Sequence, residues 1–91
     1  SFGFDKLKID RAFVSNLETN TQNESIVRAV ISMAQSLSMK VVAEGVETDQ
    51  QAAALARMSC DQLQGYLISK PMPSSEVIRF VESQSRKSLV H

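Results

Sequence analysis

Ninety-one residues allow one small domain or a piece of a larger one. At 43% hydrophobic and 22% charged the chain reads as globular, and ten basic residues balance ten acidic ones, so no net field draws it onto nucleic acid or an anionic membrane. No apolar run approaches the ~20 residues of a membrane span, and nothing resembles a signal peptide.

Phe4 to Asp10 alternates, with Leu7 and Ile9 on one face and Lys8 and Asp10 on the other, and this period of two predicts a strand over about 4–10. Arg11 to Leu17 leads away from it, and Asn16 to Asn23 is polar enough for a loop. Thr21-Gln22-Asn23-Glu24 has the spacing of a capping box. Beyond it Ile26, Val30, Met33, Ala34 and Leu37 recur at helical intervals, and Val27 and Ile31 widen the stripe. A helix over about 23–38, laid on a sheet, follows. Val41-Val42-Ala43 is a short apolar strand that runs into Glu44, giving about 41–44. Thr48-Asp49-Gln50-Gln51 is a second capping box, opening an alanine-rich helix over about 49–58.

Asp61 to Leu67 holds a third strand, about 62–66, bounded by Cys60 and by Ser69-Lys70-Pro71. Pro71 and Pro73 fit a loop and a helix start, and Ser74 or Ser75 can cap a last helix over about 74–84. Its buried side is predicted to be Val77, Ile78, Phe80 and Val81. From Gln84 onward the chain is polar and is expected to fray, with Leu89 and Val90 left to find a partner surface. Met33, Met39, Met58 and Met72 read as core or gap filling, Tyr66 as packing at a rim, and Cys60 as a small buried hydrophobe. Gly45 and Gly65 point to close backbone approach or an unusual dihedral. The alternation of strands and helices makes this an α/β chain with parallel strands and covering helices.

Reactive groups in parallel β/α units gather at the carboxyl ends of the strands. Lys8, Glu44 and Gln64 take that position in the three predicted strands. If Leu7, Ile9, Val41, Ala43 and Leu63 pack on the helices, the pleat turns the other three side chains to one mouth. Such a trio suits reactions on phosphate esters. Glutamate can hold a divalent cation or take a proton from water, lysine can place positive charge beside a developing oxyanion, and glutamine can orient water. A structural ion pair, or solvated strand ends, would use the same residue types. His91 is the only histidine and Cys60 the only cysteine, so a metal here relies on oxygen ligands, which favours Mg²⁺ or Mn²⁺ over zinc. The lone cysteine also excludes an internal disulfide and fits a reducing compartment.

The segments Lys6 to Val14, Val41 to Thr48 and Cys60 to Pro71 resemble, in order and spacing, the EAL family of bacterial phosphodiesterases that open cyclic di-GMP to linear pGpG. The resemblance implies a modified TIM-like (β/α)8 barrel, of which residues 1–91 would be the last three β/α units, the C-terminal part of one EAL domain. It implies that Lys8 holds or helps activate the hydrolytic water. Glu44 would serve a metal and that water, and Gln64 would line the same site. Asp10 and Glu47 match motif acids with supporting roles; on their own, Asp10 reads as an ion-pairing residue and Glu47 as a helix-entry charge. Two divalent cations, Mg²⁺ or Mn²⁺, belong to the complete domain, with the remaining ligands expected upstream of Ser1. The 91-residue piece is therefore expected to be inactive and metal-free alone. A degenerate EAL domain that only binds cyclic di-GMP, or serves as a structural module, remains the alternative. Further expectations are a cytoplasmic domain whose parent can be membrane-anchored elsewhere, no contact with polymeric nucleic acid, and a homodimer or self-association through exposed sheet edges and an apolar inner face.

Overall fold

The computed structural model describes residues 5–65 and 68–90, with the side chains of all of these except 68, 69 and 84–90. Four strands, β1 (Lys6–Ile9), β2 (Lys40–Val46), β3 (Gln62–Gly65) and β4 (Ile68–Pro73), form one sheet in that order. The helices are α1 (Arg11–Val14), α2 (Thr21–Ser36), α3 (Asp49–Arg57) and α4 (Ser74–Val90). β1 runs parallel to β2, and β2 to β3. Phe4, Tyr66, Leu67 and His91, and the side chains of Leu89 and Val90, lie outside the described residues.

One face of the sheet is covered. Ile9, Val41, Ala43, Val46 and Leu63 of the strands pack with Val14, Leu17, Val27, Ile31, Ala34, Ala52, Leu55 and Val77 in one buried cluster. Burying a side chain such as Leu63, Leu55 or Ile31 contributes roughly 1.5–3 kcal/mol and fixes the register, because a slip by one residue would turn the apolar row outward. The second capping box forms as expected. Thr48 Oγ1 accepts from Gln51 N at 3.0 Å, while Gln51 Oε1 accepts from the backbone of Glu47 at 2.7 Å and of Thr48 at 3.1 Å. Those bonds explain how Gln51, a polar residue, can be buried.

The first cap sits one residue earlier than predicted. Asn20, not Thr21, opens α2, its Oδ1 accepting from Gln22 N at 2.9 Å and Asn23 N at 3.1 Å. Asparagine is at least as good a cap as threonine, and the extra turn residue goes to the longer bonded helix. α1 is a further element, capped by Asp10, whose Oδ2 accepts from Ala12 N at 3.1 Å. α4 continues as helical backbone to Val90, where fraying was expected from residue 84.

The stripe expected to bury α2 is only partly buried. Val27, Ile31 and Ala34 enter the core, but Ile26, Met33 and Leu37 are 40%, 51% and 53% exposed. Among the described residues the sheet ends at β1 and nothing covers the flank of α2 that overhangs it: Ile26, Val30 and Met33 line an open groove with Leu7, Ile9 and Phe13. On α4, Val77 is buried and Ile78 and Val81 are half-buried, but Phe80 is exposed.

The three predicted strands are parallel as expected, and a fourth, unforeseen strand joins them. β4 pairs antiparallel with β3, Leu63 opposite Met72 and Gln62 opposite Pro73. Only residues 66 and 67 separate the two strands, and so short a link can only bring the chain back antiparallel. Pro71 and Pro73, predicted as loop, lie in this last strand of the sheet, where a missing N–H leaves no ladder bond unmade. β4 thus covers one edge that a three-strand sheet would have exposed, while the outer edge of β1 stays unpaired among the described residues.

Candidate functional site at the strand ends

The register sorts the strand residues into two faces. Ile9, Ala43 and Leu63 align across β1, β2 and β3 and all belong to the helix-side core. Their neighbours Lys8, Val42 and Gln62 align one step back and so project from the uncovered face. Val42 is buried there without joining the helix-side cluster. That face is more polar than expected: Lys6, Lys8, Lys40, Glu44, Gln62 and Gln64 share it by alternation, with Val42 its apolar member.

Glu44 and Gln64 stand one rung beyond the Lys8 row, toward the carboxyl ends. Lys8 is exposed, and Glu44 and Gln64 are half-buried. The three side chains therefore share one face and one end of the sheet. Asp10 and Glu47 do not join them on the strands: Asp10 caps α1, and Glu47 is exposed in the turn before α3 with its backbone N–H given to Gln51. Asp10 makes no ion pair with Arg11 among the described residues.

β2 does not stop at Glu44. It runs on to Val46, and between the Ala43–Leu63 and Val46–Gly65 pairs two residues of β2, Glu44 and Gly45, face the single Gln64. This is a bulge, a device that bends a strand and re-aims the side chain at the bulge. Two glycines make it possible. Gly45 has φ +75°, a left-handed conformation that side chains disfavour. Gly65 lies so close to β2 that a Cβ would meet the Val46 carbonyl oxygen at 1.7 Å. The bulge and the tight β2–β3 approach together set how Glu44 stands relative to Gln64.

Two features escaped the sequence. Arg11 lays its side chain on Gly45, a contact between residues 34 apart that no local pattern signals. Gln62 has a buried side-chain oxygen with no hydrogen-bond partner among the described residues. Its place two residues before Gln64 was the available clue. Gln51 holds the β2–α3 turn by both arms of its cap, and the capping-box spacing did announce it.

Beneath the site, Cys60 is a buried thiol, as expected, with Sγ 3.6 Å from the Val41 carbonyl and 3.4 Å from that of Gln62. Burial pushes it from 9.0 up to about 11. A thiol so held is a packing group and not a nucleophile at neutral pH. Asp61 Oδ2 accepts from Val41 N at 2.9 Å, and Ser74 donates its hydroxyl to the Cys60 carbonyl, so the amino ends of β2, β3 and α4 are tied together. These ties lie at the end of the sheet opposite to the one that carries Glu44 and Gln64.

Glu44 is the carboxylate of this mouth, and among the described residues no group of three or more His, Cys, Asp or Glu is placed to hold a metal ion. Among the described residues, no helix is long and apolar enough to cross a membrane.

Comparison with known proteins bears on the family and the fold. The family model described as the EAL domain matches residues 1–71. The chain is 44% identical over 79 residues to the cyclic di-GMP phosphodiesterase NbdA of Pseudomonas aeruginosa, covering 87% of this chain and 10% of that protein. The EAL domain of Mycobacterium smegmatis DcpA superposes with a TM-score of 0.67 at 46% identity, over 87% of this chain and 35% of that one. Klebsiella pneumoniae BlrP1, in a calcium and cyclic di-GMP complex, superposes with a TM-score of 0.69 at 33% identity, over 77% and 18%. The chain thus spans about a tenth of NbdA and about a third of the DcpA domain structure.

Proposed function

This chain belongs to the EAL domain family, and from that premise we propose that it is the C-terminal part of an EAL domain that hydrolyses cyclic di-GMP to linear pGpG. The observation that carries the reading is the shared position of Lys8, Glu44 and Gln64 on the open face at the carboxyl ends of three parallel strands. Hydrolysis of a cyclic diester forms a bond from water oxygen to phosphorus and breaks one phosphorus–oxygen ester bond. Water must lose a proton while negative charge builds on the phosphoryl oxygens. In this reading Glu44 takes that proton or holds a cation, Lys8 neutralises the charge, and Gln64 orients water by hydrogen bonding.

Divalent cations, when bound, supply further positive charge at the phosphate, and Glu44 is the residue of this chain that would contribute to holding them. The other ligands come from residues outside this chain. The same reading accounts for the open side of the sheet. A groove of about 280 Å³ lined by Leu7, Ile9, Phe13, Ile26, Val30 and Met33 lies beside the edge of β1 that is unpaired among the described residues. Parallel sheets are normally covered on both faces, so a neighbouring β/α unit is the natural occupant. In a chain produced alone the same surface favours self-association. The reading places the domain in the cytoplasm with its second-messenger substrate.

The test is turnover of cyclic di-GMP by the complete protein with Mg²⁺ or Mn²⁺, followed by chromatography for pGpG. Glu44→Gln and Lys8→Met should each lower kcat by roughly 100-fold or more. Undiminished pGpG formation by both variants would refute the assignment. Tight binding without turnover by the wild type would make the domain a receptor.

A further inference from the structure

Gly45 does more than permit a bulge. A Cβ at that position would stand 2.7 Å from Arg11 Cγ, 2.8 Å from Arg11 Cβ and 3.0 Å from Arg11 Nε. The aliphatic stem of Arg11 therefore lies directly on bare backbone, and its Nε reaches the residue next to Glu44. Arg11 opens α1 directly after β1, the strand that carries Lys8, and reaches Gly45 at the end of β2, so it bridges two neighbouring strand ends.

Its charge has no partner among the described residues. Arg11 forms no ion pair, and its guanidinium no hydrogen bond, among the described residues. Asp10, the nearest carboxylate in sequence, is engaged in capping α1 through Ala12 N. A side chain resting its stem on Gly45, with a planar head of five donors unpartnered among the described residues, is suited to an oxyanion. Guanidinium matches phosphate geometry in a two-point fork, and a stem already held loses less freedom when the ligand arrives.

We propose that Arg11 is a substrate-binding residue whose guanidinium contacts a phosphate of the cyclic dinucleotide, with Gly45 as the seat for its stem. This rests on the reading of the site as one for cyclic di-GMP. It adds a residue that the motif comparison did not assign and gives Gly45 a role beyond its backbone angle.

Arg11→Met tests it, because methionine keeps an unbranched stem over Gly45 and removes the charge. In the complete protein, titration with cyclic di-GMP in EDTA should show binding weakened about 10- to 100-fold by Arg11→Met. KM should rise by a similar factor while kcat at saturation falls less than about threefold. Arg11→Lys should recover part of the affinity, and the salt dependence of binding should be shallower in Arg11→Met than in wild type. Thermal midpoints of both variants should stay near that of wild type. Affinity of Arg11→Met within about twofold of wild type would overturn the proposal, as would equal losses in both variants accompanied by a fallen midpoint. If the wild type binds the nucleotide without cleaving it, the hydrolytic reading fails while the Arg11 comparison still decides this one. If the wild type does not bind it, both fall.

Discussion

Replacing Gly65 with alanine should damage stability and turnover together. The added Cβ would sit 1.7 Å from the Val46 carbonyl oxygen, 2.6 Å from the carbonyl carbon and 2.8 Å from the Val46 nitrogen. Since real Cβ atoms essentially never approach within 3.0 Å, the strands must part by at least about 1.3 Å. The obstacle is backbone, so no side chain can rotate away. A shift of that size is roughly a quarter of the ~4.8 Å strand spacing and breaks the ladder at this rung. Overpacking of about 1–3 kcal/mol and a lost hydrogen bond of about 1 kcal/mol give roughly 2–4 kcal/mol in all. For a domain of roughly 150–250 residues that lowers the thermal midpoint by about 5–15 °C. Gln64 precedes Gly65 and faces Glu44 across the bulge, so the same shift misplaces it by about 1 Å, enough to cost roughly 100-fold in kcat/KM. Differential scanning calorimetry and a pGpG assay on the complete protein measure both. A midpoint within about 1 °C of wild type, or unchanged turnover, would show that β2 and β3 do not approach as closely as this register requires.

Leu63→Ala removes a fully buried side chain at the centre of the core and should destabilise by about 2–5 kcal/mol in urea unfolding, while leaving the polar face intact. Thr48→Ala removes the acceptor for Gln51 N and should cost about 1 kcal/mol, read as a lower midpoint. Cys60 gives a pH signature of defined sign. Above 9.0 the unfolded thiol gives up its proton, whereas the folded one keeps it to about 11, so its contribution is complete below pH 9 and is lost as pH rises through that window. The stability difference between wild type and Cys60→Ala should therefore shrink by roughly 2–3 kcal/mol from pH 8.5 to 11.5 in urea titrations. Native Cys60 should also resist iodoacetamide at neutral pH, which mass spectrometry would show.

Local signals read correctly wherever local forces decide. The alternation in β1, the apolar run of β2 and the reciprocal cap at Thr48 and Gln51 each follow from neighbours within four residues, and each was legible. The choice between Asn20 and Thr21 was not, because both are competent caps and the helix simply takes the longer option. β4 was hidden for another reason. Two prolines argue against a central strand, and only knowledge that this strand is last in the sheet makes them harmless. The exposed Ile26, Met33 and Leu37 lie on a helix whose pattern is apolar all along that side; periodicity finds the apolar stripe but not where the sheet beneath it ends.

In the site the same division holds. Lys8, Glu44 and Gln64 could be placed on one face from the pleat alone, since each lies an odd number of residues from a core position on its own strand. The bulge that lets Glu44 and Gly45 share one partner could not, because it depends on a cross-strand approach at Gly65 that has no counterpart in the sequence around Glu44. Without the bulge β2 would pass Gln64 in straight register, and the residue after Glu44 would turn to the helix side. With it, the strand spends an extra residue at the rim before Val46 returns to the core, and Arg11 can fold down over the gap. The two glycines are therefore the hinge between the face that holds the protein together and the open face that carries Lys8, Glu44 and Gln64. A substitution on the core face should move stability first, one on the open face should move turnover first, and one at either glycine should move both.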